Sequence, residues 1–567
     1  IYLDNNPYSD IKEGMKYLVE SEDLTPNHSY LTLDDVHDLR VADLACGSGH
    51  ILNECFDLLY QIYIEEGYNR RRAVEDIFRY NLTGVDIDTR AKQLAMFALL
   101  LKACQKDRSF ADGHALPRVW DMPKTGLPLP ANTRLANEIE AINKTLADAD
   151  TLGSIMKFNL SPAAREWVVS LGEENETAQL VLALTDKYAA LIANPPYMGR
   201  GNMNSTLTAY LDKNYPIAKQ DLFATFMQMM IERTQDKGRC AFITMESWMF
   251  LSSFEKLRHY IIDNYYISSL GHFGWHIIGI AFGTAMTVIE KNKDYGRIGE
   301  YSYLTIDDID KSKNVPFVFP KKDNGRFAHV SQQNFEKIPG CPIGYWVSEK
   351  MIEHFTKKQV RNVLTTREGM ATADNDRFLR LWFEISTIHF SKYNSDSDKW
   401  YPYNKGGSFR KWYGNRDYVV NWSNNGYEIK NNIDIVTGRI RSHNYNGEFA
   451  FKESLTWSAI SSGSISLRYC EEGFLWDSKG ASGFSATHLR YCLGLLNSKV
   501  AHCYLKLLSP TMDFKVGDII QIPFIEQNKN KMETLVSQNI SISKSDWDVH
   551  ETSWDFQENE LVRLSKE

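Results

Sequence analysis

Asn194-Pro195-Pro196-Tyr197 is the string in this chain whose residue types and spacing come nearest to a reaction centre. It follows the apolar run "AALIA" at 189–193, which reads as a buried strand stopped by a proline pair. Two prolines fix the backbone where the strand ends and give up two amide donors. A turn made rigid in this way holds the Asn194 side-chain carbonyl and a proline carbonyl in one plane. Both are hydrogen-bond acceptors. They can take the hydrogens of an amino group, free the nitrogen lone pair and aim it at an electrophilic carbon. Such work is positioning and charge stabilisation, without a covalent intermediate. Tyr197 supplies a ring on which an extruded base can stack. The bland alternative is a kinked strand end with a surface Asn and Tyr.

An electrophile needs a holder, and Asp43-Leu44-Ala45-Cys46-Gly47-Ser48-Gly49 offers one. It follows a strand and opens a helix running from Ile51 to about Glu66, and its glycines allow a tight turn and close approach of a ligand. A lone Gly-x-Gly is weak; the whole string resembles the S-adenosylmethionine (SAM)-binding motif of amino-methyltransferases. Asp86-Ile87-Asp88 ends the next strand, "YNLTGVDID", where an acid can accept from ribose hydroxyls. By the same resemblance Asp112 in "FADGHAL" contacts the adenine amine of SAM, and Asp221-Leu222-Phe223 lines the cofactor pocket with Phe223 near that adenine. Asn194 borders the same pocket. Phe273, Trp275 and Phe282 are candidates for the ring that closes a base pocket.

The elements that must position these residues alternate between strands and helices, which predicts an α/β, Rossmann-like domain with a mostly parallel sheet. A helix-like run covers 89–104, a polar helical insertion is expected at about 128–170, and "GRCAFITM" and "TAMTVIEK" are further strands around helix-like "SFEKLRHYII". After about residue 330 strands shorten, Gly and Asn turns multiply and aromatics crowd in. The expected organisation is a SAM-dependent methyltransferase domain over 1–330, a mixed β-rich target-recognition domain with helical elements over 331–526, and a peripheral tail over 527–567.

The chain has 567 residues, a net charge of −8 and eight scattered cysteines. No Cys pair has C-x-x-C spacing, so no metal site is expected. Few thiols suit a reducing cytoplasm, and no apolar run is long enough to span a membrane. The opening Ile1-Tyr2-Leu3-Asp4 lacks an initiator Met and a signal pattern, which reads as a segment of a longer chain. Overall acidity does not announce a nucleic-acid binder; local charge is what phosphate contacts require. Between 401 and 452 the bases Lys405, Arg410, Lys411, Arg416, Lys430, Arg439, Arg441 and Lys452 outnumber Asp417, Glu428, Asp434 and Glu448. Tyr403, Phe409, Trp412, Tyr413, Tyr418, Trp422 and Tyr445 interleave with them, a pattern suited to phosphate contact and base-edge reading. Arg377 and Arg380 in "REGMATADNDRFLRLW" share this character. The DNA-binding candidates are Arg377, Arg380, Lys405, Arg410, Lys411, Arg416, Arg439 and Arg441; a surface sheet with inward aromatics is the alternative for each.

The motif order, cofactor first, catalysis second and recognition last, resembles the gamma class of adenine methyltransferases. "DLACGSGHIL", "ANPPYMG", "KQDLFATF", "SWMFLSSFEKLR", "TADNDRFLRLWFE", "GGSFRKWYGNRDYVVNW" and "SGSISLRYCEEGFLWDSKGASGF" resemble the PglX family of BREX phage-defence systems over nearly the whole chain. The resemblance implies site-specific methylation of adenine in double-stranded DNA with SAM as cofactor. It also implies other BREX proteins and a phage DNA-mimic inhibitor as partners. Family members are longer and carry a further SAM-contacting element before the glycine loop, and Asp43-Leu44-Ala45 stands where Asp-Pro-Ala is more usual. Three alternatives compete. One is the methyltransferase part of a combined restriction-modification enzyme. Another is a protein glutamine methyltransferase, which is typically much smaller. The last is a SAM-binding DNA-recognition scaffold without turnover.

Overall fold

The computed structural model describes residues 1–19, 29–112, 115–277, 279–293, 297–386, 390, 399–460, 463–509 and 513–566. The chain divides into two compact units, one of Ile1–Glu336 with Gly340–Val347, the other of Lys337–Pro339 with Ser348–Glu567.

In the first unit, short apolar segments pair into a nine-stranded sheet. Its strands are β1 (Val41–Asp43), β2 (Leu82–Val85), β3 (Arg118–Trp120), β4 (Tyr188–Ala193), β5 (Thr234–Met245), β6 (Tyr266–Phe273), β7 (Thr284–Glu290), β8 (Ile298–Leu304) and β9 (Phe327–Ser331). Their order is β9-β8-β6-β7-β5-β4-β1-β2-β3. β3, β2, β1, β4 and β5 run parallel, as the alternating pattern requires. β7 inserts antiparallel between β5 and β6, and β9 is antiparallel to β8. β1 and β2 are buried at every residue, as strands at the centre of a parallel sheet are.

Helix α1 (His50–Glu65) buries Leu52, Phe56, Leu59, Ile62 and Tyr63, an i, i+4, i+7 stripe. Helix α2 (Thr89–Lys106) starts where the Asp88 carboxylate accepts from Arg90 N and buries Ala95, Leu99 and Ala103. Between β3 and β4 lie α3 (Thr133–Leu146), α4 (Pro162–Ser170) and α5 (Glu176–Thr185). Asn132, Ser161 and Asn175 cap them through side-chain oxygens, and Pro162 takes the first position of α4.

The segment between α3 and α4 is welded to the sheet. Ser154 Oγ donates to Leu44 O at 2.5 Å, just past β1. From the end of α6 (Leu222–Arg233), the buried Arg233 guanidinium donates to Ser154 O at 2.7 Å and Met156 O at 2.6 Å. Burial pushes the Arg233 pKa down, so the two carbonyls are what keep its charge tolerable there.

The second unit holds two four-stranded sheets. One joins Thr365–Arg367, Ser482–Phe484, Ser454–Trp457 and Leu467–Cys470; the other joins Leu379–Leu381, Tyr418–Asn421, Trp400–Asn404 and Leu475–Trp476. The β-rich character with helical elements read from the sequence is present. Helix Lys529–Asp548 belongs to this unit, and Arg410 reaches it through Asp546 and Ser543 O.

Replacing Arg233 by Met leaves two buried carbonyls without donors. A loss of roughly 2–3 kcal/mol is expected from the urea midpoint of Arg233→Met, with partial recovery in Arg233→Lys. An unchanged midpoint would remove the assigned strut.

Candidate active site

The glycine loop grows from the carboxyl end of β1. Asp43 is 1% exposed, and its Oδ1 accepts from Ala45 N at 3.0 Å, which folds the chain back. Cys46 N donates to Val85 O at 3.0 Å, pinning the loop to β2. Gly47 and Gly49 are left-handed, with φ of 52° and 83°. A Cβ on Gly49 would sit 2.9 Å from Ala95 Cβ, so this glycine also lets α1 meet α2.

Asp86 follows β2 and closes the loop from the other side. Its Oδ2 accepts from Gly47 N at 2.8 Å and its Oδ1 from Asp88 N at 2.9 Å. Asp88 is turned to Arg90 and caps α2, and the Ile87 side chain is exposed. No salt bridge among the described residues engages Asp43 or Asp86. Burial pushes the Asp43 carboxyl up to about 7, with Asp86 adding repulsion. Asp112 ends the short helix Arg108–Asp112; its side chain lies outside the described residues.

The Asn-Pro-Pro-Tyr turn leaves the carboxyl end of β4, next to β1. Ala42 pairs with Leu191 in the parallel ladder, so the turn that follows Ala193 leaves the same edge of the sheet as the loop that follows Asp43. Asn194 is exposed, Pro195 buried, and Tyr197 half-buried. Tyr197 Oη lies 3.1 Å from Asn194 Oδ1 and 3.1 Å from Ile243 O of β5. Burial and then Asp221 push the Tyr197 phenol up to about 12, so it remains a donor at neutral pH. Asp221 fixes the turn and the next helix together: its Oδ1 accepts from Met198 N at 3.0 Å and from Phe223 N at 3.3 Å. Burial raises the Asp221 pKa above the usual carboxylate range.

The aromatic candidates separate cleanly. Phe282 stands edge-on to Tyr197 at 5.7 Å between centroids, and the fully buried Phe223 does so at 6.1 Å. Phe273 packs instead with Ile277, Leu304, Ile309 and Phe319, and Trp275 is exposed on a turn. Sequence reasoning missed a hydrogen-bonded chain beside Phe282. His272 Nε2 lies 2.6 Å from Glu246 Oε2, and His272 Nδ1 lies 3.0 Å from Tyr345 Oη. The Glu246 carboxyl lies against Gly283, where a Cβ would meet it at 2.2 Å. Three residues brought together from the turn just after β5, from β6 and from position 345 leave no local signal.

The basic candidates do not share one role. Arg416 corrects the expectation of a DNA contact: it is 1% exposed, bonded to Glu471 and stacked on Tyr413 at 3.9 Å, a core ion pair. Arg410 donates to Tyr413 O and pairs with Asp546, while Lys411 Nζ donates to Asn497 O at 2.8 Å. Both brace neighbouring elements. Arg377 pairs with Glu428 at 3.5 Å, Arg380 donates to Asp376 O and Leu379 O, and Lys405 lies over the Tyr418 ring. Arg439 and Arg441 are exposed on a hairpin.

A doubly wound sheet with a glycine loop after β1, acids after β2 and an Asn-Pro-Pro-Tyr turn after β4 is a methyltransferase-type α/β fold. A family model described as Eco57I restriction-modification methylase matches residues 80–277. The chain is 40% identical over 569 residues to "Adenine-specific methyltransferase PglX" of Lacticaseibacillus casei (strain Zhang), covering 93% of this chain and 47% of that protein. It is 32% identical over 622 residues to "Adenine-specific methyltransferase BrxX" of Escherichia coli O9:H4 (strain HS), covering 99% and 50%. The resemblance to the PglX family is borne out, and the chain spans about half the length of these curated relatives. Among solved structures it is similar to the Type IIL restriction-modification enzyme MmeI in complex with DNA, at TM-score 0.51 and 14% identity, over 92% of this chain and 67% of that one. It is also similar to a nuclease-deletion mutant of the Type ISP enzyme LlaGI with a DNA substrate mimic, at TM-score 0.52 and 12% identity, over 89% and 44%. At such identities the likeness is one of fold.

Asp43 sets a pH dependence. Its folded pKa of about 7 lies above the ordinary 3.8, so the folded state holds an extra proton between those values. Stability from this group is full below the lower value and is lost as pH rises through the upper one. Compared with wild type, Asp43→Asn should lose this slope. Unfolding free energies from urea titrations at pH ~5 and ~8 should differ less in the variant, by up to a few kcal/mol. Parallel slopes would mean that Asp43 is ionised when folded.

Proposed function

We propose that this chain carries the catalytic core of a site-specific adenine methyltransferase that acts on double-stranded DNA in BREX-type phage defence. The carrying observation is the alignment of the Asn194 turn with the glycine loop on adjacent parallel strands. The residues present fit SAM. Among the described residues Asp43 and Asp86 offer carboxylates without a basic partner to a cationic ligand with ribose hydroxyls, and at Gly47 an added Cβ would meet nothing within 4 Å, which leaves room for it. Asp43, Ala45, Cys46, Gly47, Ser48, Gly49, Asp86, Ile87, Asp88, Asp112, Asn194 and Phe223 are the residues that would hold it. When bound, SAM supplies an electrophilic methyl group.

The chain's own residues present the nucleophile. Asn194 Oδ1 keeps a lone pair beyond its bond to Tyr197 and accepts one amine hydrogen of an extruded adenine. The Pro195 carbonyl takes the other, while Pro196 holds the turn rigid. The Tyr197 and Phe282 rings offer walls for the flat base. Arg439, Arg441, Arg377, Arg380 and Lys405 are the candidates left to meet phosphates. Among the described residues no helix is long and apolar enough to cross a membrane, and we place the protein in the cytoplasm with its DNA. Other BREX proteins and a phage DNA-mimic inhibitor are proposed partners.

A second reading, the methyltransferase part of a combined restriction-modification enzyme, is favoured by the family model over 80–277. SAM-dependent cleavage of unmethylated DNA by the full-length protein would support it.

The test is methyl transfer from labelled SAM to unmethylated genomic DNA. Wild type should label adenine, and Asn194→Ala should lose activity by on the order of 10²–10³-fold with a far smaller loss of SAM affinity. Equal loss of both would sink the catalytic role of Asn194. SAM binding by wild type without labelled DNA would favour the scaffold.

A further inference from the structure

The segment from Asn432 to Ser442 folds as a hairpin with an unusual tip. Ile433 and Ile440 bridge antiparallel, Asp434 N donates to Arg439 O at 2.9 Å, and Arg441 N donates to Asn432 O at 2.8 Å. Its base is anchored: Asn432 and Ser442 are buried, Asn432 Nδ2 donates to Thr372 O, and Ser442 Oγ bonds to Ile429 O. The turn is preformed as well. Asp434 Oδ1 accepts from Val436 N at 3.0 Å, Thr437 N at 2.8 Å and Thr437 Oγ1 at 3.0 Å. Gly438 N closes the loop on Asp434 O at 2.8 Å, with Gly438 at φ 66°.

This well-bonded turn presents the wrong residues for water. Ile435 is 100% exposed and Val436 93%, and the stem residues Ile433 and Ile440 are more than half exposed. Single exposed aliphatics need no explanation, but four within eight residues of one rigid hairpin do. The one acid of the tip, Asp434, turns its carboxylate inward to the three donors. Arg439 and Arg441 stand exposed on the stem, and no salt bridge among the described residues engages either. The hairpin therefore offers an apolar point between cationic shoulders.

We propose that this hairpin is a wedge that enters the base stack of duplex DNA, Ile435 and Val436 going between base pairs while Arg439 and Arg441 hold the flanking phosphates. The proposal rests on the reading of this chain as a DNA-acting protein. Stacked bases form an apolar interior edged by phosphates, which matches the order of groups along the hairpin. Aliphatic side chains are the type that unstack base steps, and β-branched ones enter with little rotamer freedom to lose.

The experiment relaxes a closed-circular plasmid from an unmethylated host with a type I topoisomerase in the presence of the protein, then reads the linking number after deproteinisation. Binding is followed in parallel by anisotropy on duplex fragments at several salt concentrations. Wild type should lower the linking number in proportion to bound protein. Ile435→Ser with Val436→Ser should still bind through its arginines, but its linking change should fall toward zero. Both side chains project into solvent, so the fold should not depend on them. Asp434→Ala keeps the aliphatics but loosens the turn and should give an intermediate shift. Arg439→Gln with Arg441→Gln should weaken binding and reduce the log–log salt slope by ~1.8, about 0.9 per lost phosphate contact.

A double-serine variant that lowers the linking number as much as wild type would overturn the wedge, as would wild type that binds without a linking change. Either result leaves the methyltransferase reading intact, and an undiminished variant would assign the aliphatic tip to a protein partner. Wild type that neither binds duplex nor labels adenine would remove both the wedge and the reading on which it rests.

Discussion

Everything in the first unit depends on the ladder between β1 and β4. These two parallel strands are neighbours in space although β2, β3 and the long helical stretch intervene in sequence. Adjacent strands lie about 4.8 Å apart, so the loops leaving their carboxyl ends must share one crevice. One loop is the glycine turn and the other holds Asn194 and Tyr197. The helices behave as supports for this juxtaposition. α1 starts from Gly49, α2 starts from Asp88, and α6 starts from Asp221, whose carboxylate also holds Met198 N.

The treatment of buried charge separates structural acids from site acids. Asp186 is buried, which alone would raise its pKa, yet Arg40 and Arg165 hold it below the usual range. Asp43 is buried at the glycine loop with only backbone donors and another carboxylate nearby, and it rises to about 7. Asp186 is thus neutralised by two arginines, whereas Asp43 has no salt-bridge partner among the described residues. Arg233 shows the complementary device, a buried cation satisfied by two carbonyls that hold the 153–156 turn against Leu44.

In the second unit, charge has been drawn inward. Arg416, Arg410 and Lys411 form part of the scaffold, bonded to Glu471, Asp546 and Asn497 O. Each also lies where an aromatic side chain or backbone oxygen could absorb it, since long basic side chains pack their stems as readily as they reach solvent. Arg439 and Arg441, by contrast, remain exposed on a hairpin.

How much of this was legible depends on the range of the interactions. Strand–loop–helix units announce themselves locally: apolar runs, a proline pair, a glycine string and an acid at a strand end are each contiguous, so the α/β fold, the glycine loop, the Asn194 turn and the family resemblance could all be read from the sequence. The sequence also marked 401–452 as basic and aromatic. It could not say which side of each strand or turn a side chain would take, because burial is a property of the packed whole. Tertiary structure alone decided that Phe282 rather than Phe273 or Trp275 meets Tyr197, and that Glu246, His272 and Tyr345 form a chain. It also decided that Arg416 is core and Ile435 is surface. One-residue shifts in register exchange inside for outside, so which face a side chain takes follows from how the strands pair in the packed sheet.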